Sequence, residues 1–309
     1  MTDQQWARLQ PLLPPQRRQT GRPARDHRTV LSGILWVLRT GAPWRDLPER
    51  FGPWSTVWSR FRRWTAAGVW QRVLEALQCE ADREGRFDWV THYVDGTIVR
   101  AHQHAAGAVG GQHHEALGWS RGGFSTKVHL RAAGGGKPVA FVLSGGERHE
   151  SLFVEALLAA GRVRRAGRGR PRGRPERLVG DRGYSYPRVR CALARRGIRA
   201  VIPRRSNQRP SDGRHAPLDR AAYRERNHVE RLVNRLKQCR RIATRYEKHA
   251  AHYLAMLTLG AYPLALTRAC AARRVARRTA PRSFAPWPGL SAALVGDCRE
   301  VARSPGGAA

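Results

Sequence analysis

The chain has 309 residues, enough to bury a sizeable core in one or two domains, with 57 basic residues against 23 acidic ones. A formal net charge of +34 is best relieved by a polyanion, and phosphates that bind it release counterions, so nucleic acid is favoured over an anionic membrane surface. No apolar run of about 18 residues appears, and the opening MTDQQ has no signal-peptide pattern; both point to a cytoplasmic, nucleoid-associated protein with no membrane role.

The first 85 residues read as helical. Trp6, Leu9 and Leu13 have helical spacing before Pro14-Pro15. Asp26 is placed to cap a helix whose apolar stripe is Val30, Leu31, Ile34, Leu35 and Leu38. TGAPWRDLPERFGPW reads as a long turn. Ser55 or Thr56 then opens a helix with Trp58, Phe61 and Trp64 on its core side and Arg60, Arg62 and Arg63 beside them. A last helix covers about Val69 to Ala81. Helices joined by turns, with a basic third helix, suit a helix-turn-helix DNA reader, and those three arginines are its candidate DNA contacts. A bundle with a solvated basic face would share the pattern.

At Phe87 the pattern changes. FDWVTHYVD, GFSTKVHLRA and KPVAFVLSG are short β-branched and aromatic runs separated by Gly-rich turns. A helix fits ESLFVEALLAAG, LVGD is a buried strand, PRVRCALARRG a helix and IRAVIP a further strand. A helical region follows from about Leu218 to Ala271, broken near Lys248. Three strands and then alternating helices and strands give an α/β sheet. An RNase H-like fold suits that order, as do other α/β folds. The expected domains are therefore 1–85, helical; 86–271, a mixed sheet flanked by helices; and 272–309, a basic, mostly disordered tail. Between two of the expected elements, RGRPRGRP (168–175) repeats the Arg-Gly-Arg-Pro pattern of segments that lie in an A·T-rich minor groove. That makes Arg170 and Arg174 candidate DNA contacts, with an unspecific basic loop as the alternative.

Asp95 reads as the end of a strand, projected by the turn Asp-Gly-Thr, and Asp181 repeats the arrangement at the end of LVGD. Either alone is an ordinary turn aspartate. Tyr223, Arg226, Glu230 and Lys237 are more specific, because on a helix of about 100° per residue they fall within roughly 60° of one another. One narrow face thus carries a phenol, a guanidinium, a carboxylate and an ammonium. Only four of the 57 basic residues are lysines (127, 137, 237 and 248), so Lys237 is a rare choice here. A compact ammonium reaches a phosphate oxygen where a planar fork would not fit. Three carboxylates meeting at one site have a chemical use. Two Mg²⁺ ions about 3.5–4 Å apart activate a nucleophile and stabilise the leaving oxygen of an in-line phosphoryl displacement.

These residues resemble bacterial insertion-sequence DDE transposases of the insertion-sequence-five group. Tyr223, Arg226, Glu230 and Lys237 meet the Tyr-(2)-Arg-(3)-Glu-(6)-Lys signature without a gap. DGTIVRAHQHAAGA looks like the first-Asp segment, SRGGFSTKVHL like the second strand, VGDRGY like the second-Asp segment and RRIATRYEK like the segment after the Glu helix. The resemblance spans about residues 2 to 268. It implies an RNase H-like catalytic domain in which Asp95, Asp181 and Glu230 hold two Mg²⁺ (or Mn²⁺) ions, with Tyr223, Arg226, Lys237 and Lys127 on the DNA. It further implies cleavage and strand transfer at terminal inverted repeats, double-stranded DNA as partner at both transposon ends and target, and a homodimer in the synaptic complex. An RNase H-like nuclease without strand transfer, or a domesticated DNA-binding copy, are the rival expectations. Two departures from the pattern are the turn AAGGGKP, which lacks an Asp often seen there, and Glu150 in GGERHES, where an Asp is common.

Overall fold

The computed structural model describes residues 1–16, 25–109, 111–165, 167–205, 208 and 217–266. The expected tail, 272–309, and the last residues of the expected C-terminal helical region lie outside them.

Four helices come first: α1 (Asp3–Leu9), α2 (His27–Thr40), α3 (Trp54–Ala66) and α4 (Val69–Arg83). The side chain of Asp26 accepts from the Thr29 amide at 2.8 Å and so caps α2. Gly41, at φ 75°, ends that helix in the left-handed conformation glycine adopts without strain. The long turn contains two single turns of tight helix, at Trp44–Asp46 and Glu49–Phe51. Phe61 and Trp64 are buried, as their spacing predicts, and Trp58 packs partly buried against the same core.

The sheet comprises β1 (Asp88–Ala101), β2 (Gly118–Ser120), β3 (Gly123–Gly134), β4 (Lys137–Gly145), β5 (Arg177–Val179), β6 (Arg199–Val201) and β7 (Thr244–Arg245). Across the main strands the order is β4–β3–β1–β5–β6. β1, β3 and β4 are antiparallel neighbours, whereas β5 and β6 run parallel to β1. Three antiparallel strands extended by two parallel ones on the first strand's other edge define the RNase H-like arrangement. Helices α5 (Val154–Ala160) and α6 (Pro187–Ala194) cover one face; α7 (Arg220–Arg224), α8 (Asn227–Lys237), α9 (Arg240–Ala243) and α10 (Ala250–Leu266) complete the chain.

Three elements differ from the sequence expectation. β1 does not stop at Asp95: it runs on to Ala101, with Arg100 opposite Ser125 on β3. The expected continuous helix through Tyr223 is broken, with Arg226 as the first flanking residue of α8. β7, two residues that pair in parallel with the far end of β1, has no sequence signal of its own.

α10 is apolar almost all round, as a fully buried helix must be. Its Tyr253, Met256, Leu257 and Leu259 share one core with Val30, Ile34 and Phe61 of the helical segment and Val128 and Leu130 of β3. The Tyr262 hydroxyl donates to the Trp70 carbonyl on α4 at 2.7 Å. The helices and the sheet therefore pack around a common centre supplied by the end of the described chain. Among the described residues no helix is long and apolar enough to cross a membrane.

Candidate active site

Side chains alternate along a strand, and the two cores show which way β1 faces. Tyr93 and Val99 belong to the core under α8 and α10, while Val94 belongs to the core under α5 and α6. Asp95 shares the first face and so meets α8. There the Arg226 guanidinium donates to Asp95 Oδ1 at 3.2 Å and to Glu230 Oε1 at 2.6 Å, bridging the two carboxylates. Asp181 follows β5, which is paired beside β1 through Tyr93 and Val179. Its Oδ1 accepts from the Gly183 amide at 2.8 Å, which fixes the carboxylate at the end of the strand.

The electrostatics report crowded acids. Burial pushes the Asp95 carboxyl up; Arg226 opposes this, and Asp181 adds to it. Burial works against the Arg226 charge, but Asp95, Glu230 and Asp181 outweigh it and hold the guanidinium above its ordinary range. Lys237 donates to the Ile98 carbonyl at 3.3 Å, and burial lowers its ammonium pKa, with Asp95 pulling the other way. Tyr223 packs partly buried at the rim of the main core and is felt by Arg226.

One acid stands in this cluster that the sequence treated only as a departure from pattern. Glu150 lies before α5, and burial and then Asp181 push its carboxyl up, with Lys127 opposing and Asp95 adding. Lys127 is itself buried, donates to the Arg148 carbonyl at 2.7 Å and sits 3.8 Å from Glu150 Oε1. Its ammonium thus faces a carboxylate and a carbonyl inside the protein. The signal for Glu150 was its place in GGERHES directly after a core strand, too little without the fold.

The other expected DNA contacts divide by exposure. Arg60 is turned inward: it is buried, its Nη1 lies 2.8 Å from His27 Nδ1, and its guanidinium lies over Trp64. Arg62 and Arg63 are exposed and line a groove of about 1230 Å³ with Trp58, Tyr246, Lys248 and His252. Arg170 and Arg174 are exposed on the basic loop and border a smaller hollow of about 370 Å³.

A divalent ion needs hard oxygen donors, and Asp95, Asp181 and Glu150 are half-buried carboxylates. The donor chemistry therefore fits a divalent cation. In the arrangement seen, no group of three or more His, Cys, Asp or Glu side chains among the described residues is placed to hold a metal ion. Arg226 stands between Asp95 and Glu230 and supplies the charge there.

An RNase H-like sheet with aspartates on its first strand and at the end of the parallel strand beside it defines an RNase H-like, nucleic-acid-processing class. Within that class, the chain belongs to the family described as "Transposase DDE domain", whose model matches residues 92–262, and it is an insertion-sequence transposase. Residues 1–74 match a second model, assigned to transposases of the IS4/5 family. The chain is 43% identical over 108 residues to the uncharacterized protein y4sN of Sinorhizobium fredii, a match covering 35% of this chain and 82% of that protein. It is 33% identical over 136 residues to a protein of Burkholderia cepacia assigned as transposase of insertion sequence element IS402, covering 44% of this chain and 60% of that one. Among solved structures, a Mos1 transposase paired-end complex with left transposon end aligns over 74% of this chain and 82% of its own, at 13% identity and a TM-score of 0.23. A superposition that loose adds nothing to the fold assignment, which rests on the strand order.

Proposed function

We propose that Asp95, Asp181 and Glu230 form the catalytic centre of a transposase that cuts and rejoins DNA at the terminal inverted repeats of its element. The observation that supports this reading is that the Arg226 guanidinium is hydrogen-bonded to both Asp95 and Glu230, from segments far apart in the chain, and that Asp181 adds to the charge it feels. Asp95, Asp181 and Glu230 would hold two Mg²⁺ ions, with Mn²⁺ as a substitute. Ions bound there supply Lewis-acid activation of the attacking oxygen and stabilise the leaving oxygen of an in-line displacement at phosphorus.

The chain's own groups have separable tasks. Arg226 holds Asp95 and Glu230 at a fixed spacing and keeps two like charges from repelling each other apart. Lys237, reaching toward the exposed end of β1, offers its ammonium to a phosphate oxygen beside the acids. Tyr223 lies beside Arg226 and lends the strand a hydrogen-bonding hydroxyl. Arg62 and Arg63 of α3, with Arg170 and Arg174 of the basic loop, grip the duplex outside the reacting phosphate. Arg60 and Lys127 serve the interior instead.

We assign DNA binding to residues 1–85 and chemistry to 86–271, two tasks built around one core, with a homodimer engaging two element ends. Incubation of the protein and Mg²⁺ with DNA carrying those ends tests the reading. Cleavage plus joined product is the expected result. Cleavage alone makes the protein a nuclease, and binding alone makes it a domesticated DNA-binding protein.

A further inference from the structure

Gly96 and Gly183 are glycines for which backbone conformation gives no reason, because neither adopts a positive φ. Space gives one. A β-carbon on Gly96 would lie 2.8 Å from Glu150 Cγ and 3.0 Å from its Oε1. One on Gly183 would lie 3.2 Å from Glu150 Oε2 and 2.9 Å from Asp181 Oδ1. Glycine follows each aspartate, at one residue and at two, and the same glutamate carboxylate fills the room left at both. By the alternation along β1, Gly96 faces α5 where Asp95 faces α8. Glu150 therefore lies against Gly96 and Gly183 beside the two aspartates, on the opposite side of the sheet to Glu230, at the one position of β1 that has no side chain to block it.

A second observation falls at the same spot. Tyr184, three residues past Asp181, is completely buried, and its hydroxyl has no hydrogen-bond partner. Its ring packs where a β-carbon on Gly180 would be, and Glu150, Asp95 and Asp181 are the carboxylates that act on it. Buried hydroxyls are ordinarily satisfied, so an orphan donor beside three acids marks a place built for a further polar occupant, such as the hydration shell of a cation.

We propose that Glu150 is a fourth carboxylate of the metal site and binds a divalent cation together with Asp95 and Asp181, approaching it from the side opposite to Glu230. The inference rests on the reading of Asp95 and Asp181 as metal ligands. Lys127, 3.8 Å from Oε1, holds the carboxylate in place until the cation shares it. A hard cation of six oxygen ligands takes its remaining positions from water and DNA phosphate.

The test is titration of the full-length protein with Mn²⁺ alone, read by calorimetry and by the loss of free-ion paramagnetic resonance signal, with no DNA and no turnover. Glu150→Gln keeps shape and removes the charge; Gly96→Ala keeps the charge and pushes the side chain aside. Both are expected to weaken Mn²⁺ binding by tenfold or more, or to remove one ion from the stoichiometry, as Asp95→Asn does. If both variants titrate like the parent while Asp95→Asn is weakened, Glu150 is no ligand and the aspartate assignment survives. If Asp95→Asn and Asp181→Asn also titrate like the parent, the metal-site reading fails and the Glu150 proposal with it. Melting curves in EDTA and in Mn²⁺ give a separate check. A Glu150→Gln protein that melts lower in EDTA, yet gains as much from Mn²⁺ as the parent, has lost only the partner of Lys127, and that overturns the proposal.

Discussion

The acid cluster and the groove beside α3 handle charge in opposite ways. Asp95, Asp181 and Glu150 are drawn partly inward while Glu230 stays exposed, and each of the four is tied to a fixed neighbour: Arg226, the Gly183 amide or Lys127. Along the groove, Arg62 and Arg63 stand exposed on their helix. The first arrangement is rigid and short-ranged, as chemistry on one phosphate requires. The second is long-ranged and tolerant of position, as gripping a polyanion requires.

That contrast is broken most severely by Asp181→Asn. Cleavage of end-bearing DNA should fall by about a thousandfold or more, roughly 4 kcal/mol of barrier, while a gel-shift titration finds affinity unchanged. A parallel loss of both would mean that the cluster is part of the grip. Next comes Met256→Ala in α10, whose side chain is fully buried in the shared core. A loss of about 2–5 kcal/mol in urea denaturation is expected, in a single transition. Two separated transitions would show that helices and sheet do not depend on one centre.

Replacing both Arg62 and Arg63 by Ala should lower the dependence of log K on log salt by about 2, close to one unit per phosphate contact. The single-turnover rate of bound DNA should not change. An unchanged slope would move the grip elsewhere. A last effect is in acid. His129 is fully buried against Phe153, and burial first, then Lys127, lowers its pKa from 6.5 to about 3. The unfolded chain takes up that proton below pH 6.5 and the folded one refuses it, so stability falls as pH drops from 6.5 toward 3, by up to ~1.4 kcal/mol per unit. His129→Gln should flatten the pH dependence of urea midpoints between pH 7 and 5, and a slope equal to the parent's would contradict the assignment.

The strands were legible because they obey a local rule, β-branched runs between glycines; the Glu230 helix was legible as helix, but the face expected from Tyr223 to Lys237 is split by the break between α7 and α8. Asp95 misled at one step. Asp-Gly-Thr has the chemistry of a turn, but the glycine is there to admit Glu150, a contact 54 positions away that no local rule reports. Arg60 carries the same lesson. A charge on a helix normally faces water, and only the packing of His27, 33 residues earlier, turns this one inward. β7 forms because β1 overruns its expected end and presents Arg100 and Ala101 for pairing. The apolar run of α10 was visible, yet nothing in it announced that it would join the first 85 residues to the sheet.

The most direct test of the central claim is Asp95→Ala, assayed with the parent on the same Mg²⁺-loaded, end-bearing DNA, with binding and cleavage read from one sample. The account predicts that the variant binds like the parent and produces no cleaved strand. Cleavage at the parent's rate would show that Asp95 is not at the reacting centre, and the assignment of Asp181 and Glu230 would fall with it.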